Sequence, residues 1–319
     1  QLEPAAMTRQ RGVALVTVLL VVALAATVCA ALVVRQQLSI RGSANQLQAR
    51  QAWQYARGGE QLALGVLRAD LRMGGSVDHR GEPWAQRLPA YPVDGGEVRV
   101  DIDDLAGRFN LNSVVHQGQL DADALARLQR LLRLLQLDPQ LAWQLVDWIS
   151  PGLAPDSVHR QAERDYLART PAYRPAARAL RDTSELRLLA GVDDRVYQRL
   201  LPHVSALPAT AALNLNTADA WVLASLADGL GMQDGQRLIA ARGASGFASV
   251  DAFLAQPLLQ QRWVARNGLA VRSNWFVASS EAAIGARRLR LLSVLQREGG
   301  DIRVVSRQLA PPLVPENVR

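Results

Sequence analysis

Val13-Ala14-Leu15-Val16-Thr17-Val18-Leu19-Leu20-Val21-Val22-Ala23-Leu24-Ala25-Ala26-Thr27-Val28-Cys29-Ala30-Ala31-Leu32-Val33-Val34 runs for 22 residues without a charge, and only Thr17 and Thr27 interrupt its apolar character. Wound as a helix, this stretch spans about 30 Å of hydrocarbon. Arg9, Arg11 and Gly12 precede it, while Arg35 and Arg41 follow it, so charge does not set its direction across a bilayer. Met7 reads as the start of translation, which leaves a leader of six residues, Met7 to Gly12, with Gln1 to Ala6 upstream. A secretory signal has an apolar stretch of about 7 to 15 residues, and this one is longer. Val28 and Ala30 nevertheless form a small-residue pattern before Ala31, so simple secretion stands as an alternative.

Beyond the span, Arg35 to Leu71 contains no proline and keeps apolar residues at helical spacing. Ala49, Ala52, Trp53 and Ala56 make one stripe; Ala63, Val66, Leu67 and Leu71 make another beyond Gly58 and Gly59. A continuous helix from Val13 to Arg72 is about 90 Å long. Half of it belongs to lipid, and half is available to carry a domain.

The remaining sequence bounds what that domain is. At 319 residues the chain accommodates two or three folded units, and an apolar share of 49% with 20% charged excludes a mainly disordered chain. All 36 basic residues are arginine and are spread along the length, so the formal charge of +7 reads as coding bias rather than a polyanion site. A single cysteine, Cys29, excludes an internal disulfide and a cysteine-based zinc site. Stability rests on packing or on an oxygen-ligated ion.

Gly74-Gly75 closes the long helix, and Asp94-Gly95-Gly96 turns into Glu97-Val98-Arg99-Val100-Asp101-Ile102, a strand with alternating burial. Strand patterning returns only at Trp275-Phe276-Val277, Arg288-Leu289-Arg290-Leu291 and Asp301-Ile302-Arg303-Val304-Val305. The fold class is therefore α+β: a long N-terminal helix and a small antiparallel sheet assembled from two distant parts of the chain, with a large helical domain inserted. Within the insert, Asp121 caps a helix bearing Leu125, Leu128, Leu132 and Leu135. Asp138-Pro139 predicts a second helix start, and Thr183-Ser184-Glu185-Leu186 a third. Thr170-Pro171 to Arg174-Pro175 is a connector, and Pro202 to Pro208 closes the first helical unit. A second unit opens at Asn214-Leu215-Asn216-Thr217-Ala218, with Thr217 as its cap, and ends near Leu269. Pro311-Pro312-Leu313-Val314-Pro315 predicts a disordered tail.

No catalytic constellation is present. His79, His116, His159 and His203 are scattered, there is no HExxH, GxSxG, Walker or GxGxxG pattern, and no organic cofactor is implied.

Arg11-Gly12 followed by Val13 to Leu20 resembles the class III signal of type IV pilins and type II secretion pseudopilins. The resemblance implies cleavage between Gly12 and Val13 by a prepilin peptidase, and methylation of Val13. Most members carry glutamate at the fifth mature position, where this chain has Thr17. A buried glutamate in a filament core is costly unless paired, so a subunit without it suits the filament end. The K-type minor pseudopilins lack it. Gly107-Arg108-Phe109-Asn110-Leu111-Asn112, Ser184-Glu185-Leu186-Arg187 and Asn214-Leu215-Asn216-Thr217-Ala218 resemble that family's segments in the same order. What the resemblance implies is a pilin-like helix and sheet interrupted by SAM-like units. On that pattern 1–12 is leader, 13–34 transmembrane helix, 35–112 the pilin-like helix continuation and first strand region, 113–210 and 211–271 the two SAM-like units, 272–310 the closing strands, and 311–319 the tail. The implied setting is the bacterial inner membrane, single-pass, with the bulk of the chain in the periplasm. The implied partners are the I and J minor pseudopilins in a ternary tip complex, other pseudopilins and the prepilin peptidase, with exoprotein substrate or secretin as further contacts.

The acidic segment Asp147 to Tyr166 resembles the same family's calcium loop, in depleted form: Ser150 and Gly152 stand where aspartates are expected, and Arg164 where an acid is. Asp147, Asp156, Glu163 and Asp165 remain as candidate calcium ligands, against a loop held by hydrogen bonds with Arg160 or Arg164 in place of the cation. A rival reading comes from Asn214 to Leu254, which also resembles the helix-hairpin-helix module of DNA-uptake proteins. There Gly229 and Gly231 would grip phosphate, supported by Arg237 and Arg242. Basic support is thin and the spacing from Leu226 to Gly229 is one residue longer than the hairpin pattern prefers, so nucleic acid ranks below protein contact.

Overall fold

The structure, a computed structural model, describes residues 11–312. The expected start at Met7, most of the leader and the tail beyond Pro312 lie outside the described residues.

Helix α1, Arg11–Met73, is continuous over 63 residues, or about 95 Å. It ends where the sequence predicts, at Gly74, whose φ of 76° is open to glycine without steric cost. The distal half of α1 lies on a five-stranded sheet. After β1 (Tyr91–Val93) and β2 (Gly96–Asp104) the chain leaves that sheet, returning as β9 (Trp275–Ile284), β10 (Arg287–Glu298) and β11 (Asp301–Ala310) once the insert is complete. Strand order is β1-β2-β9-β10-β11, antiparallel throughout. This is the α+β architecture the sequence predicts, a split sheet with a helical insert between β2 and β9.

Small residues set the helix-to-sheet distance. Ala52, Ala56 and Ala63 are buried with Leu64 and Leu67 against Val98, Val100, Phe276, Ala278, Ala282, Leu291 and Leu295. At Gly59 even a methyl group is too much, because a Cβ there would lie 2.1 Å from Ser280 Oγ and 2.9 Å from Val100 Cγ2. Trp53, placed by spacing in the buried stripe, is instead 37% exposed at its edge.

The insert begins with β3 (Phe109–Asn110), the hairpin β4 (Val115–His116) and β5 (Gln119–Leu120), then α2 (Ala122–Leu134), α3 (Leu141–Ile149), α4 (Asp156–Leu167) and α5 (Asp194–Leu200), and closes on β6 (Val204–Ser205). Its core gathers Leu128, Leu131, Leu132, Leu135, Leu145, Val146, Trp148 and Tyr166. Asp121 caps α2 as predicted, its carboxylate accepting from Ala124 N–H at 2.8 Å. The α3 start is displaced: Asp138 Oδ1 accepts from Gln140 N–H in a local turn, and the helix begins at Leu141. Thr183–Leu188 forms only a 3₁₀ segment.

The second unit repeats the plan with β7 (Leu213–Asn214), α6 (Ala220–Ala224), α7 (Met232–Arg242), α8 (Val250–Leu254) and β8 (Leu269–Ala270) around Leu215, Val222, Leu223, Leu226, Phe247 and Phe253. Each unit is closed by a two-residue parallel pair, β3 with β6 and β7 with β8. The cap of α6 is Asp219, whose side chain accepts from Val222 N–H; Thr217, predicted for that role, donates its hydroxyl to Asp104 instead.

Candidate functional site

The span is one surface and the insert another. From Val13 to Leu47 the side chains of α1 have no protein cover, and Val13, Leu15, Leu20 and Leu24 are each more than 60% exposed. Among the described residues α1 is the one helix long and apolar enough to cross a membrane. Bare apolar surface of that extent does not persist in water, so lipid or neighbouring helices must cover it. Gly12 and Val13, the residues of the expected cleavage, lie in the first turn. Thr17 keeps its hydroxyl within its own helix, donating to Ala14 O at 2.9 Å and Val13 O at 3.1 Å. A threonine bonded this way carries no charge to another chain and leaves no buried polar atom unpaired.

The four candidate calcium ligands do not come together. Asp147, on α3, is fully buried, and its Oδ1 lies 2.6 Å from His159 Nδ1. Asp156, Glu163 and Asp165 all lie on α4. Two residues apart on a helix is a rotation of about 200°, so Glu163 and Asp165 cannot both face Asp147. Asp165 accepts from Gln161 Nε2 at 3.0 Å, and Arg164 donates to Gln161 Oε1 at 2.7 Å. The side chain set against the buried carboxylate is therefore His159 rather than Arg160 or Arg164. With one buried carboxylate, itself matched to an imidazole, this donor set does not fit a calcium ion, which needs six to eight oxygens. Burial also presses the Tyr166 phenol up to about 12, and its ring packs edge-on to Trp148 with centroids 5.6 Å apart.

The phosphate-gripping hairpin is likewise absent. Gly231 N–H donates to Asp234 Oδ2 at 2.9 Å, and Arg237 pairs with the same carboxylate. Arg262 Nη1 donates to Asp228 O at 2.8 Å and lies 2.9 Å from where a Cβ on Gly229 would be. Arg242 is buried, with Nη1 donating to Leu215 O and Ala218 O. Gly229 and Gly231 form a helix-helix turn, with Arg237 held by Asp234 and Arg242 turned inward on two backbone carbonyls rather than toward that turn.

The sequence motifs turn out to be hydrogen-bond hubs. Asn110 Oδ1 accepts from Asn112 N–H and Leu207 N–H, and Asn112 grips Leu180 from both sides of its amide. Asn214 and Asn216 repeat the device: Asn214 Oδ1 accepts from Asn216 N–H, and Asn216 spans Phe247 N–H and Phe247 O. Asp104, at the end of β2, ties both bodies together by accepting from Ala106 N–H, Asn214 Nδ2, Thr217 Oγ1 and Ser273 Oγ. Burial raises the Asp104 carboxyl above its ordinary range despite these donors. No short-range signal announced this hub, nor the one at Arg297, which bridges Asp70 at the end of α1 and Asp78 in the following loop at 2.7 and 2.8 Å. Asp70, Asp78 and Glu82 are close enough to suggest a metal. Arg297 already neutralises two of them, and Glu82 accepts from Trp84 Nε1.

Known proteins share this arrangement. The family model described as "Type II secretion system (T2SS), protein K" matches residues 107–209 and, in a second segment, 213–272. Type II secretion system protein K of Pseudomonas aeruginosa is 44% identical over 96% of this chain and 95% of its own length. The protein of the same description from Klebsiella pneumoniae is 36% identical over 94% of this chain and 96% of its own length. A chain of the crystal structure of the GspK-GspI-GspJ complex from enterotoxigenic Escherichia coli superposes with a TM-score of 0.73 at 28% identity, covering 84% of this chain and 99% of that one.

Fold and site together define a pilin-like subunit, anchored by one apolar helix and carrying a two-unit helical insert. The chain belongs to the type II secretion system protein K family, as a minor pseudopilin of that secretion machinery. Its place is that of a structural component, and the helix-hairpin-helix reading is set aside.

Proposed function

We propose that this chain is cut after Gly12 by a prepilin peptidase, methylated on Val13, and held in the bacterial inner membrane by Val13 to Val34 with the remainder in the periplasm. From there it joins the I and J minor pseudopilins in a ternary tip complex that primes the periplasmic pseudopilus. The observation that carries this reading is the pairing of an uncharged, self-bonded Thr17 with an insert grafted on the far end of α1. A bulky insert is tolerated at a filament end and obstructs a close-packed shaft. The solved relative whose complex contains GspI and GspJ supports the choice of partners. The reading is tested by coexpression with and without a prepilin peptidase, followed by N-terminal sequencing, intact mass and copurification with I and J subunits. A peptidase-dependent start at Val13, lost in Gly12→Val, is the expected result. A start near Ala31, or an uncut chain that copurifies with neither subunit, would overturn it.

A further inference from the structure

The loop after α1 and the end of α7 meet around a pocket of about 260 Å³ whose lining includes His79, Arg80, Gly81, Ile239, Arg242 and Ala244. The two walls are in close register: a Cβ on Gly81 would lie 2.5 Å from Ala244 O. Two guanidinium groups share this space. Arg80 donates through Nε and Nη2 to Thr217 O at 3.0 and 2.8 Å, and Arg242 through Nη1 to Leu215 O and Ala218 O. These bonds leave Arg80 Nη1 and Arg242 Nη2 without an acceptor among the described residues.

Among the described residues neither Arg80 nor Arg242 forms a carboxylate ion pair within 4.0 Å, and Arg242 is buried. Asp219 acts on Arg242 electrostatically, but its oxygens are taken by His203 Nδ1 and Val222 N–H. Burial, reinforced by Arg80, pulls Arg242 down to about 10 against the opposing pull of Asp219. His79 Nδ1 accepts from Gly81 N–H at 3.1 Å, so the neutral ring carries its proton on Nε2 and offers a third donor.

We propose that this pocket binds a small tetrahedral oxyanion of the phosphate or sulfate class, clamped between the guanidinium groups of Arg80 and Arg242 with His79 as an additional donor. At about 30 Å³ per water, the space admits such an anion with part of its hydration. Arginine's planar fork suits oxyanions, and two such groups in a partly enclosed pocket bind more strongly than on open surface. The anion is a dissolved one, not a lipid headgroup, because the helix from Val34 to Met73 sets the pocket about 60 Å from the bilayer. Its effect is to fasten the pilin-like body to the second helical unit.

The test is titration of the full chain in detergent with inorganic phosphate at constant ionic strength, chloride making up the balance, followed by calorimetry and by phosphorus NMR line width. One saturable site is expected, weakened about tenfold or more in Arg80→Gln and in Ile239→Asp, the second of which sets a carboxylate against the anion while keeping both arginines. If Arg80→Gln loses the cooperative unfolding of the parent, Ile239→Asp alone decides. Absence of a saturable site in the parent chain, or a site that Ile239→Asp leaves at parental affinity, overturns the proposal.

Discussion

Arg307 on β11 grips Glu60 on α1 in a two-pronged ion pair, Nε to Oε2 at 2.7 Å and Nη2 to Oε1 at 3.0 Å, while Ser293 donates to the same carboxylate at 2.6 Å. Glu60 is completely buried. Burial alone would raise its carboxyl, but the Arg307 and Ser293 bonds outweigh it and hold it below the ordinary range. An acid depressed in the folded state adds stability that is complete above its unfolded pKa of about 4.3 and is lost as pH falls through the folded value. Glu60→Gln is expected to lower stability at pH 7 by about 1–3 kcal/mol. That deficit should shrink below about pH 4, as read from denaturant unfolding of parent and variant across pH.

At Asp147 the expected outcome concerns metal. Since His159 occupies the bonded oxygen of Asp147 and the other acids lie apart on α4, chelation should leave the thermal midpoint unchanged, and added calcium should not raise it. His159→Ala strips the bonded oxygen of Asp147 of its partner, and Oδ2 has none already. A loss of about 1–3 kcal/mol is expected from denaturant titration. A chelator-sensitive midpoint in the parent would contradict this account.

Gly59 tests the helix-to-sheet approach. Gly59→Ala is expected to cost about 1–3 kcal/mol through overpacking against Ser280. Combined with Ser280→Gly, it should recover a substantial part of that loss, because the 2.1 Å clash is with Ser280 Oγ. A double-mutant cycle measures the coupling, and simple additivity would mean that α1 shifts instead.

Asn216 holds the second unit shut. Asn216→Ala removes an acceptor from the buried Phe247 N–H and a donor from Phe247 O, for an expected loss of about 2–4 kcal/mol. Hydrogen exchange should show the segment around Phe247 opening before β9 and β10 do.

What was legible in the sequence was whatever repeats at short range. The uncharged run to Val34 and the alanine stripe from Ala52 to Ala63 obey one period, and Val98 and Val100 obey another, so the helix and the split sheet could be read directly. Capping was partly legible: Asp121 acts locally and behaves as its type predicts, whereas Thr217 was claimed by Asp104, more than a hundred residues away. The acidic segment was legible only in part for a related reason. Order along the chain groups its acids, but α4 turns Glu163 and Asp165 to different sides, and the partner of Asp147, His159, carries no ligand pattern of its own. The Asn-Leu-Asn segments could be recognised as motifs, yet their role as paired hubs appears only when Leu207 and Phe247 are brought to them.

The insert leaves and rejoins the sheet through antiparallel neighbours, Asp104 facing Phe276 across β2 and β9. Mechanically, it is a side branch off the shaft rather than a link in series with it. Tension or thrust along α1 passes into the sheet through the alanine contacts and the Glu60 and Asp70 ion pairs, and no strand of the load path runs through the helical units. Those units can therefore change shape, or diverge in sequence, without altering the stiffness of the rod that carries them.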